Sequence, residues 1–131
     1  MRNLKIAMIV LVLMFNVLDS FACGQCVQDK MAAVYDYEVI KTAVSQKHVV
    51  IFMGFQGSIV PDLESRLKIL KLIMKINGID GKSIKISMEN ASFSVAFDPE
   101  RISYNTLLKV FSKNFLRLSL SVFPIDTIKS L

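Results

Sequence analysis

The chain holds two cysteines, both in the single motif Cys23-Gly24-Gln25-Cys26, and one histidine, His48. Two thiols at this spacing suit capture of a soft metal ion or a reversible disulfide. At a helix start both would lie near unpaired backbone amides, whose partial positive charge favours thiolate. Two thiolates satisfy Cu(I), Hg(II) or a similar soft ion, for which low coordination numbers suffice. Cleavage after Ala22 would free the amine of Cys23 as a third donor. Zinc usually takes four ligands, and the sequence offers neither a second C-x-x-C nor a histidine pair. The bland alternatives are idle thiols or a static Cys23–Cys26 disulfide, whose short ring constrains little chain. A thioredoxin-type redox site needs a strand of the fold before the motif, whereas here only an apolar leader precedes it. His48 borders an apolar run and reads as an ordinary hydrogen-bonded side chain. A Ser-His-Asp set would have to use that one histidine, and no glycine-rich phosphate loop occurs, so the expectation is a binder and no enzyme.

The compartment follows from the first 22 residues. Arg2 and Lys5 precede an apolar run from Ile6 to Leu18, and Ser20-Phe21-Ala22 places small residues at the two cleavage-recognition positions. This reads as a signal peptide of bacterial type, which gives a periplasmic or secreted protein. The run is shorter than the roughly 20 apolar residues that span a bilayer core. A minority alternative is a lipoprotein acylated on Cys23, which would leave only Cys26 free. Removal of Arg2, Lys5 and Asp19 with the leader takes the net charge from +5 to +4. Such an excess does not argue for nucleic acid, and no aromatic-plus-arginine pattern for stacking bases is present.

The elements that must position these thiols follow from hydrophobic period. Val27 to Ser45 reads as a helix that Asp36 bends or restarts. Val49-Val50-Ile51-Phe52-Met53, closed by Gly54, is a strand. Asp62 to Ile76 is a helix with Leu63, Leu67, Leu70 and Met74 on one stripe, widened by Ile69, Ile73 and Ile76, and Asn77-Gly78 ends it. Lys68, Lys71 and Lys75 lie on its other side, either as a solvated face or to meet an acidic partner or lipid headgroups. Ile84/Ile86/Met88 and Phe93/Val95/Phe97 alternate as a hairpin with one buried face. Ser103 caps a helix carrying Tyr104, Leu107, Leu108 and Phe111, and Leu116, Leu118, Leu120 and Val122 alternate as a last strand. The order β-α-β-β-α-β predicts an α+β, ferredoxin-like sandwich: a four-stranded antiparallel sheet with two helices on one face, preceded by an extra N-terminal helix. The expected division is 1–22 leader, 23–46 helix with the C-x-x-C, 47–123 sandwich and 124–131 tail.

The stretch from Leu67 to Phe115 resembles a heavy-metal-associated domain. The resemblance lies in Ile73 and Ile76-Asn77-Gly78-Ile79 closing the first helix and Ser83-Ile84-Lys85-Ile86 opening the second strand. It continues through Val95-Ala96-Phe97-Asp98-Pro99-Glu100-Arg101-Ile102-Ser103 leading into Leu107. It implies the sandwich fold and a metal-handling role. The family's Met-x-Cys-x-x-Cys, however, belongs on the loop between first strand and first helix, where this chain has Gly54-Phe55-Gln56-Gly57-Ser58-Ile59-Val60-Pro61-Asp62. No ligand carries over to that loop. What remains is soft-metal handling by Cys23 and Cys26, with Cu(I) or another soft ion as cargo and a metal-donor or metal-acceptor protein as partner. A membrane would be met only through the leader or a lipid on Cys23. The alternatives are a metal-free partner-binding module of this fold and a thiol-disulfide protein.

Overall fold

The computed structural model of the protein describes residues 27–129. The leader expected over 1–22 and the pair Cys23 and Cys26 lie outside the described residues.

A helix whose described part covers 27–32 (α1) leads into α2 (Tyr37–Ser45), followed by β1 (Val49–Gly57), α3 (Leu63–Met74), β2 (Lys85–Ser87), β3 (Ser92–Phe97), α4 (Tyr104–Leu116) and β4 (Leu120–Ile128). Asp36 separates the first two helices by capping the second. Its Oδ1 accepts hydrogen bonds from the amides of Glu38 (3.0 Å) and Val39 (3.1 Å), two donors that a helix start leaves orphaned. The expected restart at Asp36 is therefore what the chain does. Asp62 and Ser103 cap α3 and α4 in the same way.

The four strands pair antiparallel in the order β2-β3-β1-β4. With α3 and α4 on one face, this is the ferredoxin-like sandwich. Ile51, Met53 and Phe55 of β1 and Phe93, Val95 and Phe97 of β3 meet Ile69 and Ile73 of α3 and Leu107, Phe111 and Phe115 of α4 in the main core. Phe93 stands edge-on to Phe111 and stacked on Phe115, both at 5.2 Å between ring centres, a geometry that adds to area burial.

The second face corrects the expectation of a hairpin with one buried side. Val50, Phe52 and Ala96 form a smaller core with Val34 and Ala43 of the leading segment, and Ser92 and Ser94, whose type suggested solvent, are 0% and 2% exposed. They can be buried because each hydroxyl has a partner: Ser92 donates to the carbonyl of Lys30 and Ser94 to that of Val34, both at 2.7 Å. The sheet is thus filled on both faces. The close fit reaches Gly54, where a Cβ would strike the ring of Phe123 at 2.3 Å.

Three further boundaries differ from the sequence reading. Leu116 ends α4 and Leu118 lies in the turn after it, so the last strand starts at Leu120. That strand runs to Ile128, through most of the expected 124–131 tail: Ile125, the extra residue of a bulge, and Ile128 both pack on the second core. The face of α3 that meets the core is Ile69, Ile73 and the following Ile76; Leu63, Leu67 and Met74 are 68%, 41% and 58% exposed. Periodicity marks one wide apolar face, of which only the Ile69, Ile73 and Ile76 side is packed.

Candidate functional site

β1 delivers its loop at the same end of the sandwich as two other turns. Gly57 closes the strand at φ +144, and a Cβ there would meet the Ser119 carbonyl oxygen and Leu120 Cδ2 at 2.7 Å, so the turn between α4 and β4 presses against it. The β2–β3 turn joins them: the Phe55 amide donates to the Ala91 carbonyl at 2.9 Å. Ser58 to Asp62 contribute no thiol and no imidazole to this pole. Asp62 is occupied as a cap, and the Ser65 amide, followed by the Ser65 hydroxyl, holds its carboxyl below the ordinary carboxylate range. Among the described residues no group of three or more His, Cys, Asp or Glu side chains comes together to hold a metal.

The leading segment is fastened to this pole. The Lys30 ammonium donates to the carbonyls of Asn90 and Ala91 in the β2–β3 turn, while the Lys30 carbonyl accepts from Ser92. Four residues on, Val34 is bonded to Ser94, and Asp36 is paired with Lys85 (3.1 Å), the partner of Ser94 in the sheet. The segment therefore runs along β3 away from the β2–β3 turn, and Val27, to which Cys26 is bonded, stands on the turn side. Sequence reasoning missed this docking, since Lys30, Ser92 and Ser94 look like ordinary surface residues. A signal did exist in retrospect: two serines on the polar side of a strand whose other side is entirely aromatic and aliphatic.

His48 lies at the opposite pole, immediately before β1. Nine residues of strand separate it from the loop, about 30 Å at strand rise, whereas four residues of chain reach at most about 14 Å. The structure thus does not bring His48 to the pole where the leading segment enters. Its surroundings also differ from the expectation of a satisfied side chain, because Nδ1 is buried without a hydrogen-bond partner. His48 lines an open cleft of about 660 Å³ with Glu38 and Thr42 of α2, Asp80, Lys82, Asp98 and Arg101. The cleft exists because α2 stands beside the loop that follows α3.

No family model matches the sequence, and no curated protein matches it. Among solved structures, the chain is similar to a copper binding domain from HMA7, a P-type ATPase, with 13% identity over 60% of this chain and 96% of that one and a TM-score of 0.48. It is also similar to oxidized MerP from Ralstonia metallidurans CH34, with 16% identity over 57% of this chain and 93% of that one and a TM-score of 0.45. No described helix is long and apolar enough to cross a membrane.

Proposed function

We propose that this protein is an exported carrier of a soft metal ion, held by Cys23 and Cys26 and passed to a second thiol site by ligand exchange. One observation supports this above the others: α1 is pinned to the β2–β3 turn, at the pole where the thiol-free β1–α3 loop lies. The N-terminal thiols would then stand in for a missing loop pair. Two soft donors suit Cu(I) or Hg(II), and transfer by exchange of thiolates changes the oxidation state of neither metal nor sulfur. The cation is cargo, and we propose a binder with no catalytic step. The leader over 1–22 would place this work outside the cytoplasm.

Anaerobic titration of the reduced protein with Cu(I) against a competing chelator, read by intact mass, tests the proposal. One copper per chain is expected for the wild type and none for Cys26→Ser, while stoichiometric binding retained by Cys26→Ser would sink it. The metal-free partner module is the second reading, favoured by the absence of any soft donor between Ser58 and Asp62. It expects a Cys23→Ser/Cys26→Ser variant to keep full function in the cell.

A further inference from the structure

α3 carries two apolar faces, and the sheet covers only one. At about 100° per residue, Leu63, Leu67, Leu70 and Met74 fall within about 60° of one another, roughly 110° around the helix from Ile69 and Ile73. The second stripe is open to solvent over Leu63, Leu67 and Met74, and Val60, 65% exposed, extends it past the N-terminus. A row of large apolar side chains on a helix whose core is already supplied elsewhere marks an interaction surface. Its borders carry more cations than acids. Lys71 follows one edge, with Lys75 and Lys68 farther round the helix, and Arg66 follows the other; of the acids, Glu64 is bonded to Lys68 at 3.1 Å, Asp62 is occupied as the helix cap, and Glu89 stands near Arg66 and Leu63.

We propose that α3 docks on an anionic phospholipid surface, with Leu63, Leu67 and Met74 entering the headgroup layer and the flanking lysines meeting lipid phosphates. The charge pattern selects this occupant. A convex ridge needs a partner that yields around it, which a lipid interface does, and lysine stems are long enough to lie along apolar surface while their ammonium groups stay at phosphate level. The surface is independent of the cysteine motif, so it stands or falls apart from metal carriage.

The chain contains no tryptophan, which permits a direct test. Leu67→Trp in the full-length protein supplies a single reporter at an exposed position, and Tyr37→Trp supplies a control on α2, where Tyr37 is 63% exposed. Vesicles of phosphatidylcholine alone are compared with vesicles containing phosphatidylglycerol. A blue shift and quenching by brominated acyl chains are expected for Leu67→Trp on the anionic vesicles only. High salt should reverse both, and Lys68→Gln/Lys71→Gln/Lys75→Gln should weaken binding by at least about tenfold. The Tyr37→Trp emission should not move. An unshifted Leu67→Trp spectrum on anionic vesicles overturns the proposal, as does equal binding by the triple-lysine variant. A shift produced by a soluble acidic polypeptide and not by vesicles overturns it in favour of a protein partner, and concentration-dependent dimerisation abolished by Leu67→Ser overturns it in favour of a second copy.

Discussion

Asp36 ties helix geometry to sheet position through one carboxylate. The Val39 amide, then the Lys85 ammonium, with help from the Glu38 amide, hold its carboxyl below the ordinary value of 3.8. A carboxyl lowered on folding contributes its stabilisation fully above that ordinary value, and the contribution fades as pH falls through the lower, folded one. Asp36→Asn keeps a capping oxygen but loses the charge. It should melt below the wild type at neutral pH, and the gap should close as pH drops below 3.8, which thermal melts across pH would show; a gap independent of pH would mean that the charge contributes nothing. This residue was readable from sequence as a helix punctuator, since an acid at that place in the pattern caps. Its pairing with Lys85 was not, because nothing in the order of residues says that the leading helices lie on the second face.

The leading segment is the element that distinguishes this chain from a bare sandwich, and its anchor is largely polar. Lys30, Ser92 and Ser94 hold α1 by hydrogen bonds whose individual worth is about 1 kcal/mol, and Val34 adds a small apolar plug. Ser94→Ala leaves the Val34 carbonyl buried without its donor and should cost about 1–3 kcal/mol. Hydrogen exchange would then quicken across 27–34 while β1 and β3 stay protected. Uniform loss of protection would show that the leading helices and the sandwich open as one unit. Sequence patterning found every strand and helix of the sandwich because each buries a face of fixed period. It left α3 open, where two apolar stripes compete and only the position of the sheet decides which is covered, and erred at Leu116, where an alternating run continues a helix into its closing turn.

At the scale of the whole molecule the sheet is buried twice, and the second burial depends on residues upstream of the sandwich. Phe52 is fully buried and stacked at 6.4 Å with Tyr35; Val50 and Ala96 share its fate. Removal of residues 27–46 would bare this patch. The shortened chain should bind a hydrophobic dye and aggregate on warming, whereas a soluble, cooperatively melting product would show that the sandwich is self-sufficient. The ferredoxin-like topology was legible because the order of periods admits few packings. The pole where function is proposed was only half legible: the empty loop could be seen in the letters, but the approach of the leading segment depends on contacts more than 60 residues apart in sequence.

The central position of β1 sets a timetable. Its residues 49–54 pair with 92–97, and its residues 50–57 pair with 120–128, so this central strand finds both neighbours far downstream. Closing such long loops precedes the contacts that reward it, which makes folding slow. A chain emerging from the ribosome can form α2 and α3 early, yet β1 has no finished place until residues 120–128 have left the tunnel. Until then the polypeptide stays open and threadable.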